Sequence, residues 1–425
     1  MIATLLIILF VLLFLGAPLM LGLLLSSFAA IQLFMPDIDP LWLTQQITGG
    51  VESFTLLAVP MFIFGADIMA TGQTSNRLLD LINSFVGHIK GGLAIGTAAT
   101  CTFFGAISGS TQATVVAIGR PMYARMVEKN YGVSETLALI INAANIALLI
   151  PPSVVMVMYG VVTGASVGEL FIAGIGPGLL VLLFFAVYNY FDAKRKNTPV
   201  DERADWPQRL EAFKRALLPL GFPAIIIGGI YSGFFSPTEA AAVSAVYAMI
   251  LEIVIFKSIT IKDIGKIALS SGVVTSVVFV LVAAGNAFAW MFSLGRVPQM
   301  ITASLLGPDA GAIKVLAMAS LFFFVACMFV DQLVAIIILA PMFVGPAAAA
   351  GVDPIHLGII VTLQCAIGSA TPPFGCNIFT ASAVFKKPYL TVIRKTMPYF
   401  VMYFVISVIM IFFPQIALFS RNLLF

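Results

Sequence analysis

Two proline pairs inside apolar runs, Pro151-Pro152 and Pro372-Pro373, mark where this 425-residue chain can do chemistry. Proline lacks a backbone N–H and pushes the residue before it out of the α region, so a helix must open at each pair. Carbonyls released there need partners, and hydrocarbon supplies none. Broken backbone at membrane depth is tolerated only when it is buried in protein or lines a polar cavity, where it can hold an ion or a substrate. The two stretches, Asn145-Ile-Ala-Leu-Leu-Ile-Pro-Pro-Ser153 and Gln364-Cys-Ala-Ile-Gly-Ser-Ala-Thr-Pro-Pro-Phe-Gly-Cys-Asn-Ile-Phe379, repeat one device in two halves of the chain.

Two polar tips accompany the breaks. Ser108-Gly-Ser-Thr-Gln112 and Asp331-Gln332 each separate a pair of apolar segments, 92–107 from 112–127 and 312–330 from 332–349. The ordinary role of Ser, Thr or Asp at such a tip is to cap the following helix. The same helix start also carries partial positive charge for an anionic group, while turn carbonyls and hydroxyls can ligate a hard cation. Asp331 is the one acid between Lys314 and Pro346, and an intramembrane carboxylate points to function, either as a Na⁺ ligand or as a proton carrier. Glu239 is different: Ser236, Pro237 and Glu239 read as a capping box, which explains the acid structurally. Asp67 has no such local explanation and stays open between a helix-end partner and a neighbouring subunit. His88 and His356 read as loop residues with packing or surface roles.

The elements that must position these residues are membrane helices. Hydrophobic residues make up 60% of the chain and charged residues 10%, and mean hydropathy is +1.07, so the fold class is an all-α polytopic membrane protein. Segments apolar on every side exclude a transmembrane barrel. A net charge of +3 is too small to imply a nucleic-acid partner, and none is expected. The four cysteines, Cys101, Cys327, Cys365 and Cys376, stand singly in apolar runs as core residues. The N-terminal run 3–34 has no basic leader and stays in the protein, as one helix or two. No nucleotide or metalloprotease motif is present, so energy must come from a gradient.

The segments 92–127 and 312–349 read as re-entrant helical hairpins, and 136–165 and 355–384 as proline-broken transmembrane helices. Residues 191–215 form the one hydrophilic loop, a linker with an amphipathic second part. It divides a first repeat, 1–190, from a second, 216–425. With the N-terminus cytoplasmic, all of the 22 Lys and Arg residues except Arg296, Lys314 and Arg421 fall inside. The basic run of the linker is then a topology anchor, with contact to anionic membrane lipid as a lesser role. Landmarks match between the halves at offsets of 219 to 221: Gly119-Arg-Pro-Met122 with Leu339-Ala-Pro-Met342, Gly132-Val133 with Gly351-Val352, and the proline pairs. With the hairpins opening to opposite sides, the repeats are inverted. Short amphipathic arms, 75–85 and 297–306, precede the hairpins as a frame lying in the interface.

Four motifs together, Gly105-Ala-Ile-Ser-Gly-Ser-Thr-Gln-Ala-Thr114, Leu149-Ile-Pro-Pro-Ser153, Ser236-Pro-Thr-Glu-Ala-Ala-Ala-Val243 and Thr371-Pro-Pro-Phe-Gly-Cys-Asn-Ile-Phe379, give the whole chain a resemblance to the large membrane subunit of tripartite ATP-independent periplasmic (TRAP) transporters. The resemblance implies a bacterial inner-membrane, elevator-type secondary transporter that imports an organic acid with Na⁺ as coupling ion and no other cofactor. It implies a small membrane subunit, separate here, and a periplasmic substrate-binding protein; the general look is nearest members that import sialic acid. Carried over by residue, one Na⁺ site lies between Ser108, Ser110, Ile150 and Pro151, and a second between Asp331, Ala370, Thr371 and Gly375. Substrate lies between them, near Thr111, Gln112, Asn145, Ser153, Gln332 and Asn377. Gln112 and Cys376 depart from the smaller or apolar residues expected and tune substrate choice. The nearer alternative is a stand-alone divalent-anion/Na⁺ symporter. An intramembrane hydrolase using Ser108 and Asp331 is remoter, because no histidine lies near either tip.

Overall fold

The computed structural model describes residues 1–301, 307 and 311–424. Among them all regular structure is helical, and seven helices, or eight with one bent pair, are long and apolar enough to cross a membrane. The run 3–34 is two helices, Ile2–Phe14 and Leu19–Phe34. Gly16 at φ +79° and Pro18 end the first helix and start the second. The two then pack on each other closely enough that a Cβ on Gly22 would meet Leu9 at 2.9 Å.

An outer frame surrounds the hairpins. Ala58–Thr71 packs along Pro237–Met249, and the long helix Ile261–Leu294 packs on Leu19–Phe34, Leu41–Gly49 and Ala58–Thr71. The capping box expected at Ser236 is present: its N–H and Oγ donate to Glu239 at 2.8 Å each, while the Glu239 N–H donates back to its Oγ at 3.3 Å. The first arm is the helix Thr74–Val86. Buried Glu252 anchors its start, accepting from the Gln73 N–H at 3.1 Å and Thr74 Oγ1 at 2.6 Å. Of the second arm only Val297–Ile301 is helix within the description, and 302–306 lies outside the described residues.

The hydrophilic loop is shorter than the sequence reading. Val167–Lys196 continues as helix into it and Trp206–Tyr231 starts within it, which leaves 197–205 as the connection. Local chemistry accounts for both ends. Lys196 pairs with Asp192 one turn back at 2.8 Å, and Asn197 closes the first helix at φ +50°. Asp205 and Gln208 form a capping box at the start of the second. His356 also departs from expectation. It is no loop residue but lies buried in the first turn of Pro354–Ser369, its Nε2 2.9 Å from the Met410 carbonyl oxygen. The last run bends by 63° between Met397–Phe412 and Gln415–Leu423, at Pro414.

Inside the frame the two halves share one contact pattern. The first limb of each hairpin, Gly92–Ser108 or Ala312–Phe329, packs on the first part of its own broken helix, Val133–Ala144 or Pro354–Ser369. The second limbs cross over. Thr111–Ala117 packs on Cys376–Phe385 of the other half, and Gln332–Ala349 on Val154–Thr163. This exchange is what binds the two halves into one core. The first hairpin's second limb is interrupted at Ile118, between Thr111–Ala117 and Gly119–Glu128, where Pro121 cannot donate to the Ala117 carbonyl.

Candidate functional site

The first break begins where α-helix gives way to a 3₁₀ turn over Asn145–Leu148. In a continuous helix Pro151 and Pro152 would face the carbonyls of Ala147 and Leu148, and neither can donate. The chain instead turns through a cis Pro151-Pro152 bond and restarts at Ser153, whose Oγ accepts the Met156 N–H at 3.3 Å. Into this turn fits the first tip. Gly109 sits at φ +56°, and a Cβ there would lie 2.4 Å from the Pro152 carbonyl oxygen. Only glycine meets both conditions. Around it Ser108 Oγ and Thr114 Oγ1 lie 3.0 Å apart, Thr114 Oγ1 donates to the Ser110 carbonyl at 2.8 Å, and Ser110 Oγ caps the limb through the Ala113 N–H at 3.4 Å.

The second break repeats the plan with different chemistry. Pro354–Ser369 ends in a turn through the cis Pro372-Pro373 bond and resumes at Cys376–Phe385. Thr371 Oγ1 donates to the Ile367 carbonyl at 2.7 Å, and the Gly375 N–H to the Thr371 carbonyl at 3.2 Å. The facing tip is capped by a carboxylate: Asp331 Oδ1 accepts the Leu333 N–H at 3.0 Å. Gln332 Nε2 reaches Cys376 Sγ at 3.3 Å.

Between the breaks runs a buried polar bridge. Asn377 Nδ2 donates to Asn145 Oδ1 at 2.6 Å, Ser369 Oγ to the same oxygen at 2.7 Å, and Thr111 Oγ1 to Asn377 Oδ1 at 2.9 Å. One side chain from the first break, two from the second and one from the first tip therefore meet in a single network. With its Oδ1 held by two donors, Asn145 is left with a buried Nδ2 that has no acceptor. Beside the tips is a cavity of about 460 Å³, within the size range of small-molecule sites. Ser108, Ser110, Thr111, Gln112, Asp331 and Gln332 line it from the two hairpins, and Asp67 and Ser270 from the frame. None of its lining residues is Lys, Arg or His.

The structure thus gathers the candidate residues into two groups. Both tips face one cavity, while Thr111, Asn145 and Asn377 share the bridge. Ile150, Pro151, Ala370, Thr371 and Gly375 form the breaks but do not line the cavity, and Ala370 packs in a small apolar cluster with Val115, Ile141 and Ile378. Ser153 is buried as a helix cap. Two residues were missed. Ser369 adjoins the second break, and its position before Ala370 was a usable signal. Asp67, left open from sequence, lines the cavity with its Oδ2 accepting from Ser271 Oγ at 2.6 Å; a lone acid in an apolar helix was the signal. Cys327 and Cys365, read as isolated, lie with their sulfurs 3.5 Å apart.

A multi-span helical protein centred on two broken helices and two hairpin tips, with a cavity onto which both polar tips open, is of the transporter class rather than an enzyme. The family described as the tripartite ATP-independent periplasmic transporter, DctM component, matches residues 6–416, and the chain belongs to it. It is 52% identical over 426 residues, the whole of both chains, to the ectoine/5-hydroxyectoine TRAP transporter large permease protein of Ruegeria pomeroyi. It is likewise 52% identical over 415 residues, 97% of each chain, to the ectoine TRAP transporter large permease protein of Halomonas elongata. The crystal structure of the Alcanivorax borkumensis YdaH transporter has the same fold at a TM-score of 0.65, covering 88% of this chain and 87% of that one at 14% identity. The chain is a TRAP large permease that moves an organic substrate, and the family implies a small permease subunit and a periplasmic binding protein.

Proposed function

We propose that this permease imports ectoine or a similar compact zwitterion, a ring bearing an amidinium and a carboxylate, across the bacterial inner membrane with Na⁺ as coupling ion. The observation that carries the reading is the charge of the cavity: it presents Asp67 and Asp331, several hydroxyls and amides, and no basic side chain. A purely anionic cargo would still meet Asp67 once Na⁺ has neutralised Asp331, whereas a zwitterion offers its amidinium to that carboxylate. Its own carboxylate then takes amide donors, with the Gln112 and Gln332 side chains in the lining and the start of Gln332–Ala349 as the available ones. The two permeases named for ectoine support the same cargo. A sialic acid, toward which the general resemblance leans, has a carboxylate and no cationic group, so it brings nothing to pair with the acids of the cavity.

In this reading Na⁺ sits at each tip-and-break pair: Ser108 and Ser110 with the carbonyls near Ile150 and Pro151, and Asp331 with those near Ala370, Thr371 and Gly375. Cation binding at Asp331 neutralises the site before cargo enters, which couples the two. The hairpins and broken helices, tied by the Asn145–Asn377 bridge, move as one body against the frame in an elevator step. A periplasmic binding protein delivers the cargo, and the small membrane subunit belongs to the frame.

The test is uptake of labelled ectoine into proteoliposomes holding the permease, its small subunit and its binding protein. Uptake should follow an inward Na⁺ gradient and fall to background in K⁺. Undiminished uptake in K⁺ defeats the coupling, and uptake of sialic acid with none of ectoine reassigns the cargo. Uptake by this chain alone would favour the stand-alone symporter.

A further inference from the structure

Arg209 stands in the first turn of Trp206–Tyr231 and is only 8% exposed, yet its Nε and Nη2 have no hydrogen-bond partner. A guanidinium stays charged at any physiological pH and carries five donors in a rigid fork, so burying it without an acceptor is costly. No carboxylate among the described residues forms an ion pair with it: the nearby Glu211 is held by Arg215. What flanks it is aromatic. The Phe85 ring of the first arm lies 5.5 Å from the guanidinium carbon and the Trp206 ring 5.6 Å, near the outer limit of a cation–π contact.

The surroundings point to what completes the site. Trp206, Leu210, Phe213 and Leu217 recur at helical spacing and are exposed by 76%, 54%, 45% and 55%, which makes one apolar stripe running away from Arg209. In a membrane protein such a stripe faces acyl chains, and an exposed Trp at its end sits at headgroup level. Basic residues crowd the same end of the helix: Arg203, Lys214 and Arg215 beside it, Lys194 and Arg195 across the connection. Asp201, Glu202, Asp205 and Glu211 lie in the same stretch, but Asp201 is held by Arg125 and Lys129, Asp205 caps the helix and Glu211 is held by Arg215. That leaves Arg209 itself to take an anion whose apolar remainder follows the stripe.

We propose that Arg209 binds the phosphodiester of a phospholipid in the cytoplasmic leaflet, its guanidinium turning out from between Phe85 and Trp206, where Nε and Nη2 are enclosed by protein, onto the phosphate oxygens, with the lipid's chains along the Trp206–Leu217 stripe. The bound headgroup then bridges the first arm to Trp206–Tyr231 at the edge of the frame. This assignment does not depend on the cargo or on Na⁺.

The experiment uses the permease purified with its small subunit, stripped by detergent exchange and weighed by native mass spectrometry. The wild type should retain a phospholipid adduct that Arg209→Gln binds about tenfold more weakly, the expected loss of a charge-assisted bond. Adding phosphatidylglycerol should raise the melting temperature of the wild type and of Arg209→Lys, but not of Arg209→Gln. Equal retention by wild type and Arg209→Gln overturns the proposal. So does a wild type that, once stripped, retains no phospholipid and gains none on titration, a result that needs no variant. If inorganic phosphate at the same concentration reproduces the melting shift, the site takes a free anion and the lipid assignment fails. Loss of the small subunit from Arg209→Gln, with lipid unchanged, would assign the guanidinium to a protein partner instead.

Discussion

The two breaks are built on the same backbone plan and differ in what surrounds them. From Asn145 to Ser153 every residue of the first break is buried, and its tip is capped by the neutral Ser110. At the second break Pro373 and Phe374 are exposed, Thr371 is half-buried, and the tip is capped by Asp331. Pro373 is reached from outside the core as well, its carbonyl accepting from the Tyr389 hydroxyl at 2.7 Å. One interruption is therefore sealed in protein and neutral, the other open and charged. In the proposed cycle the two are not equivalent although they travel together: the sealed one holds the shape of the core, and the open one gives ion and cargo a way in and out.

The sharpest way to break that contrast is at the caps. Asp331→Ala should reduce Na⁺-driven uptake by about 100-fold, the scale of losing a charge-assisted interaction of about 3 kcal/mol. Ser110→Ala removes a neutral cap, worth about 1 kcal/mol, and should cost only about fivefold. Asp331→Asn separates the roles, because an amide oxygen can still cap Leu333 but carries no charge. Uptake and Na⁺ dependence near wild type in Asp331→Asn would reduce Asp331 to a cap and make the two tips chemically alike.

A second substitution pair compares the turns themselves. Gly109→Ala meets the Pro152 carbonyl oxygen at 2.4 Å from a left-handed backbone, whereas Gly375→Ala meets the carbonyls of Ser369 and Thr371 at 2.6 and 2.8 Å from φ −50°, an ordinary value. Both must push backbone aside, but only Gly109 adds conformational strain, about 1 kcal/mol or more. The second turn is also the exposed one and can yield. Gly109→Ala should therefore lower the melting temperature of the purified complex more than Gly375→Ala, and the reverse order would place the rigid turn in the second half.

How far these features were legible in the sequence follows from the range of the forces behind them. A missing N–H acts within one helical turn, so the proline pairs, the tips and the capping box at Ser236 could be read locally. The 220-residue repeat needed only matching landmarks. The bridge could not be read this way: Asn145 and Asn377 are 232 positions apart, and nothing near either one says which amide it meets. Asp67 was visible as an unexplained acid, but its place in the cavity depends on how Ala58–Thr71 packs against Ile261–Leu294. The linker was read too long because its charges outweighed its apolar face, while Lys196 and Asp205 were already ending and starting helices. His356 was misread for a similar reason, its neighbours Asp353 and Pro354 looking like a loop when they form the cap of a buried helix.

The smallest expected effect lies at the two ends of the core, where ion pairs fix it to its surroundings. At the linker end Asp201 holds Arg125 at 2.8 Å and Lys129 at 3.0 Å, tying the connection between the halves to the base of the first hairpin. At the other end Arg421 of the bent C-terminal helix holds Asp353 at 2.7 Å and lies 3.7 Å from Glu169. The basic partners at the linker end are 41% and 43% exposed, against 23% for Arg421. Screening by water limits the first group to about 0.5 kcal/mol, and the more sheltered Arg421 fork should exceed it. Asp201→Ala is accordingly expected to shift the melting temperature less than Arg421→Ala, and the gap should widen as salt rises, because the exposed Asp201 pairs are screened while the more sheltered Arg421 group is screened less. If Asp201→Ala proves the more damaging and also slows uptake, the linker is a working part of the hinge between the sealed and open halves.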